Sequence, residues 1–205
     1  MADDESPVGS HVSRRWAEWR ARIDLGEYHT RWERLEATGQ AAHGEADLIE
    51  AILPADLRPA SVLDAGCGMG RVAIELHRRG LEVEGADLDA DLLEFARRDA
   101  PHIRWHHTDL ATMDVGRTYH LVAMPGNVMI FCEPVARAAV VSRSAAHLEF
   151  GGFLVAGFSL DGITLDEYDG YCAEAGLVLH ERFATWERGP FAGGDYAVSV
   201  HRLVG

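Results

Sequence analysis

The stretch VLDAGCGMG, residues 62–70, sets three glycines at alternate positions, Gly66, Gly68 and Gly70, directly behind a short apolar run that ends in Asp64. Glycine at this density marks backbone that turns sharply or lets another group approach without a side chain in the way. In an open α/β sheet such a turn joins the first strand to the first helix at the carboxyl edge, where ligands bind. The dinucleotide fingerprint needs its third glycine one residue later, and this chain has Arg71 there.

Downstream of the turn, short apolar runs alternate with helical stretches, the pattern of strands and crossover helices in a mostly parallel sheet. The runs cover 61–64, 81–87, 103–107, 119–124 and 153–159, and helices are expected over about 70–79, 89–98 and 133–149. In the last of these, Val135, Ala138, Val141, Ala145 and Leu148 form an apolar stripe, and Gly151-Gly152 breaks the helix and returns the chain to the sheet. After a helix over about 164–175, GLVLHERFATWER meets DYAVSVHRLV across GPFAGG. That link is too short for a crossover helix, so these two strands are antiparallel.

Upstream, Val12, Trp16, Trp19 and Ile23 recur along one side of a helix, and Tyr28, Trp32 and Leu35 repeat the periodicity before Gly39 interrupts. A third helix is expected over 45–53, with Ala46, Ile49 and Leu53 inward and Pro54 stopping it. The division is a flexible tail over 1–10, a helical lid or extension over 11–53, and a sheet domain over 54–205.

The chain of 205 residues carries a formal net charge of −14, which disfavours nucleic acid or an anionic membrane as partner and favours a small acceptor. Three scattered cysteines, Cys67, Cys132 and Cys172, form neither a disulfide framework nor a zinc knuckle. The acidic opening MADDESPVGS is unlike an export signal, and no apolar run is long enough to span a bilayer. A cytoplasmic protein is expected. No metal site is expected either, since His106 and His107 of HHTD are strand neighbours pointing to opposite faces.

Asp64 at the end of the first run would repel a pyrophosphate but favours a ligand bearing an ammonium and a sulfonium. Asp87, at the end of the second run, stands where a carboxylate accepts hydrogen bonds from both ribose hydroxyls. Two acids and three glycines thus describe a nucleoside ligand without phosphates. The segments VLDAGCGMGRVAIEL, VEGADLDADLLEFAR and TDL, with the terminal hairpin, resemble a class I S-adenosylmethionine-dependent methyltransferase over roughly 45–203.

The resemblance implies a Rossmann-like α/β fold with a seven-stranded mostly parallel sheet, order 3-2-1-4-5-7-6, helices on both faces, and one antiparallel strand supplied by the closing hairpin. It places Asp64, Gly66 and Gly68 at the methionine part of the cofactor, Asp87 at the ribose, Asp109 and the Leu110 backbone at the adenine, and Leu88 on the adenine ring. Ala65, Cys67, Arg71 and Met124 complete the expected cofactor set, and Asn127 is expected to bind cofactor or acceptor through its amide. Two departures stand out. Tyr119-His120 replaces an acid that many members carry before the fourth strand, a change expected to be structural. MPGNV lacks the Asn/Asp-Pro-Pro-aromatic sequence of several amino-group methyltransferases.

The implied reaction is methyl transfer from S-adenosylmethionine to a small molecule, driven largely by alignment and exclusion of water. Where the acceptor needs a base, His43 in GQAAHGEAD is the leading candidate, against a reading as a surface or capping residue. Tyr28 and Trp32 either close over the acceptor or pack in the core. Trp186, Arg188 and Tyr196 either line the acceptor pocket or decorate a hairpin tip. Cys67 serves as a small residue rather than a reactive thiol, and Arg71 is alternatively a solvent-facing residue at a helix start. A non-catalytic cofactor-binding module and a nucleotide-linked oxidoreductase are the competing readings.

Overall fold

A computed structural model describes residues 12–37, 43–57 and 59–204, with the side chains of 32–37 excepted. The expected tail over 1–10, Gly39, and the side chains of Trp32 and Leu35 lie outside the described residues.

Seven strands form one sheet in the order β3-β2-β1-β4-β5-β7-β6. They are β1 (Ser61–Ala65), β2 (Glu82–Asp87), β3 (Arg104–His107), β4 (Tyr119–Met124), β5 (Leu148–Ser159), β6 (Leu177–Phe183) and β7 (Tyr196–Leu203). β1 pairs in parallel with β2, Asp64 opposite Gly85, and with β4, Asp64 opposite Ala123. β7 runs antiparallel to β6, as the short GPFAGG link requires, and also to β5.

Side chains along each strand alternate between two cores, the period-two rule of a pleated sheet buried on both faces. Val62 and Val83 enter one core with helices α3 (Gly44–Ile52), α4 (Arg71–Arg78) and α5 (Ala90–Asp99). Leu63, Ala65, Val122 and Met124 enter the other with α7 (Arg137–Ala146) and α8 (Leu165–Glu174). The capping box of α8, Thr164 with Glu167, starts that helix where the sequence places it.

In the sheet domain the structure departs from the expected pattern at three places. The expected 133–149 helix is a 3₁₀ turn at Pro134–Ala136 followed by α7, Leu148 already belongs to β5, and a short α6 (Val128–Phe131) precedes them. Val135, assigned to the apolar stripe, is 89% exposed because it lies in the 3₁₀ turn rather than on the helix. Gly151-Gly152 lies inside β5, not before it; a Cβ on Gly152 would stand 2.9 Å from the carbonyl oxygens of Glu149 and His120, so glycine admits a close backbone approach beside the irregularity in the β4–β5 register.

At the N-terminal end, α1 (Arg14–Arg20) begins after Ser13, whose hydroxyl accepts the Trp16 N–H at 3.1 Å. Val12 and Ile23 therefore fall outside this helix, and Val12 forms a backbone bridge with Cys132 instead. Helix α2 (Leu25–Ala37) follows. Tyr119 is buried, and the His120 ring takes hydrogen bonds from Ser61, so both residues serve the sheet, as expected for the departure at β4.

Candidate functional site

The glycine turn is stitched to β2. Gly66 and Cys67 donate their N–H groups to the Ala86 carbonyl at 2.7 and 3.1 Å, and Gly68 donates to Asp87 Oδ2 at 2.7 Å. All three glycines hold positive φ, 85°, 53° and 83° in order, which L side chains adopt at a cost of about 1–2 kcal/mol. Much of the space they clear is taken by the protein itself. A Cβ on Gly66 would stand 2.5 Å from Val128 Cγ2, and one on Gly70 2.4 Å from Trp105 Cη2; at Gly68 the nearest atom is Leu92 Cδ1, at 3.9 Å. Gly68 is thus the position of the three where open space remains.

Above the turn is a cavity of about 440 Å³, small among ligand sites. Its floor holds two buried acids. Asp64 Oδ2 accepts the Ala73 N–H at 3.1 Å, while its Oδ1 is buried with no hydrogen-bond partner. Burial pushes this carboxyl up to about 7, against the lowering influence of the Ala73 N–H and the Arg71 charge. Asp87 Oδ1 accepts the Asp89 N–H at 2.9 Å in addition to the Gly68 bond on Oδ2, and burial raises its pKa more than those bonds lower it. Each Asp87 oxygen keeps a second lone pair for a ligand hydroxyl.

Asp109 and Leu110 line the far end, with Asp109 Oδ1 accepting the Ala111 N–H at 2.8 Å, and Leu88 adds apolar wall. Arg71 also lines the cavity, where both its terminal nitrogens bond to the Glu45 carboxylate of α3, so it is a wall residue rather than a solvent-facing one. Asn127 adopts φ 68° and reaches the wall, but its Oδ1 accepts the Ser159 N–H at 2.8 Å, which leaves the amide nitrogen for a ligand. Burial lifts the Cys67 thiol far above its ordinary value, in keeping with a small packing residue.

Several expected site residues are elsewhere. Ala65 and Met124 belong to the second core, and Ser144 Oγ lies 3.9 Å from the Met124 sulfur; neither residue lines the cavity. His43 precedes α3 and its Nε2 lies 4.0 Å from Glu75 Oε2 on α4, so the imidazole faces a helix side chain and is not part of the cavity wall. Trp186 Nε1 donates to the Tyr196 hydroxyl at 2.9 Å, and both crowd Gly157, where a Cβ would stand 2.4 Å from Trp186 Cζ2. Arg188 is an exposed residue of the tip with φ 63°. These three do not line the cavity, because the hairpin strands β7 and β6 stand at the edge of the sheet, beyond β4 and β5 from the glycine turn.

Tyr28 does reach the cavity, with neighbours the sequence reading did not assign to it: Trp16, Trp19, Arg31 and Phe131. Trp19 is the centre of this roof, its ring centroid 5.6 Å from Tyr28 edge-on, 5.8 Å from Phe131 and 6.4 Å from Trp16. The available signal was the pair of tryptophans on a short helix rich in arginine; α1 buries none of its residues fully, so its rings cover a cavity instead of entering a core. His106 Nε2 is 2.6 Å from Glu84 Oε2 and His107 Nε2 is 2.9 Å from the Leu88 carbonyl, two different partners on opposite sides of the strand.

Comparison with known proteins agrees with this geometry. A family model described as a methyltransferase domain matches residues 62–152, from β1 into β5. A crystal structure described as a TehB-like SAM-dependent methyltransferase from Corynebacterium glutamicum is 35% identical, covers 86% of this chain and 96% of that one, and superposes with a TM-score of 0.78. Magnesium-protoporphyrin O-methyltransferase of Rhodobacter capsulatus is 34% identical over 124 residues, 56% of this chain and 55% of the relative. The dTDP-3-amino-3,6-dideoxy-alpha-D-glucopyranose N,N-dimethyltransferase of Streptomyces fradiae is 32% identical over 122 residues, 58% and 48% of the two. The matches span about half the length of these two curated relatives.

Proposed function

Because the chain belongs to the class I S-adenosylmethionine-dependent methyltransferases, we propose that it carries a methyl group from that cofactor to a small-molecule acceptor. The observation that carries this reading is the orphaned Oδ1 of Asp64 in the cavity floor, a buried acceptor that the protein leaves for a ligand donor. An ammonium there pairs a charge and fills a hydrogen bond together.

When bound, S-adenosylmethionine supplies an electrophilic methyl group on a sulfonium. Asp64 holds the amino-acid end, Asp87 accepts from the ribose hydroxyls, and Asp109 with the Leu110 backbone borders the base. Arg71 offers a guanidinium for the cofactor carboxylate while Glu45 keeps it aimed. The aromatic roof excludes water from the reacting atoms, and the wall positions the acceptor in line, a contribution worth ~7 kcal/mol or more when alignment is good. His43, outside the wall, takes no part in proton transfer.

Calorimetric titration with S-adenosylmethionine, with its demethylated product and with NAD tests the reading. Binding of the first two and not of NAD is the expected result. Tight NAD binding with neither of the others would overturn it, and cofactor binding without turnover of any acceptor would leave a binding module.

A further inference from the structure

The acceptor end of the cavity combines three features. Its roof is aromatic: Trp19 lies within 6.4 Å of Trp16, Tyr28 and Phe131, centroid to centroid. Among the described residues of the wall there is no imidazole and no amine to take a proton. Cys132, the thiol beneath the roof, is pushed up to about 12 by burial and stays protonated at neutral pH. Of the wall carboxylates, Glu45 is held on Arg71, Asp87 on two N–H groups and Asp109 on the Ala111 N–H, and Asp64, whose Oδ1 is open, is taken in the methyl-transfer reading by the cofactor ammonium.

The described wall favours an acceptor that is nucleophilic as it arrives. An alkyl amine, with a pKa near that of lysine at about 10.4, arrives protonated at pH 7, and an alcohol arrives with its proton in place. A heteroaromatic nitrogen, imidazole-like at about 6.5 or lower, arrives with its lone pair free. It is also flat, and so suits a roof of rings above a cavity of about 440 Å³ that the cofactor shares.

Resting on the methyl-transfer reading, we infer that the acceptor is a compact planar heteroarene methylated on a pyridine-type ring nitrogen beneath Trp16, Trp19 and Tyr28. The nitrogen lone pair forms the new N–C bond as the S–C bond breaks. The electron pair of the broken bond stays on sulfur, the unit positive charge passes from sulfur to the ring, and no proton is released. The rings of the roof favour the cation that forms, since a cation over an aromatic face gains about 0.5–2 kcal/mol. The rate advantage is then built into the wall without a base.

The test uses quinoline, naphthol of the same shape, and glucosamine as acceptors, with methylated product read by mass spectrometry. A second readout, independent of turnover, is the binding of N-methylquinolinium against naphthalene to the complex with S-adenosylhomocysteine, followed by tryptophan fluorescence. Quinoline is expected to be methylated fastest, and the cation to bind about tenfold tighter than naphthalene. Trp19→Leu is expected to erase that preference with S-adenosylhomocysteine affinity kept within about twofold, and Tyr28→Leu to reduce it if the first variant folds poorly. Faster methylation of naphthol or glucosamine, or equal binding of cation and naphthalene, overturns the inference. If S-adenosylhomocysteine itself does not bind, the methyl-transfer reading falls with it; if it binds and the heteroarene preference is absent, the acceptor assignment alone falls.

Discussion

The floor and the roof of the cavity are held by different forces. The floor is covalently local and buried: the turn after β1 donates to β2, and Asp64 and Asp87 anchor N–H groups in surroundings closed to water. The roof is docked from outside by the Val12–Cys132 backbone bridge, the Trp19–Phe131 ring contact and several polar side-chain contacts. Arg20 pairs with Asp89 and Asp91 at 2.7 and 2.6 Å and Arg15 with Asp161 at 2.6 Å, and the His29 ring lies within hydrogen-bond distance of Asp99, at 2.5 Å. A buried carboxylate bonded to backbone cannot be traded without leaving orphan donors, whereas a surface ion pair contributes about 0–1 kcal/mol. On these contacts the floor is the more rigid of the two and the roof the more adjustable; under the proposed function that would let one fold serve many acceptors.

The sharpest way to break this contrast is to fill the turn. Gly66→Val forces a side chain onto Val128 in a φ 85° conformation, and we expect loss of cofactor binding and a fall in stability of about 3 kcal/mol, measured by denaturant unfolding. Little change in either quantity would mean that the floor is not rigid.

Asp87→Ala is expected to follow. Two buried N–H groups, those of Gly68 and Asp89, lose their acceptor at ~1–3 kcal/mol each, and cofactor affinity falls about a hundredfold by calorimetry.

Asp64→Asn separates stability from binding. The carboxyl is raised from 3.8 to about 7, so the folded chain keeps a proton that the unfolded chain has lost across that window. Its contribution to stability is complete below pH 3.8 and disappears as pH rises to about 7. At pH 8 the cofactor-free Asn variant should therefore exceed the parent in stability, by up to about 4 kcal/mol, and the gap should close toward pH 4. Its cofactor affinity should be lower and lose the increase with pH that ionisation of Asp64 confers on the parent. An unfolding series at three pH values decides the point.

On the roof, Arg20→Ala takes a charged hydrogen bond from the buried Asp89 and should cost about 2 kcal/mol in stability and raise the acceptor KM several-fold. The smallest effect belongs to His43→Ala, for which steady-state kcat within about twofold of the parent is expected; a thousandfold loss would return the imidazole to the reacting atoms.

What could be read ahead of the structure tracks the same division. The turn, the acids at the ends of β1 and β2, and the antiparallel closing strand all follow from spacing along the chain, because strand, turn and helix there are contiguous. The stripe ending in Val135 and Leu148 was misread because a helix and a 3₁₀ turn share short-range apolar spacing. For His43 and Trp186 the sequence leaves a site role and a structural one open, and the rings meet Glu75 and Tyr196 from other parts of the fold.

The sequence by itself determined the bare turn and the two floor carboxylates, since each depends on residue type and spacing within one strand–turn–helix unit, while the sheet order came with the family resemblance those motifs carry. Only the tertiary structure decided that Gly66 and Gly70 clear space for Val128 and Trp105, that α1 roofs the cavity, and that the hairpin aromatics stand aside. Those outcomes depend on which surfaces meet when distant segments pack, and the free energies that choose among such meetings are shared by residues far apart in the chain.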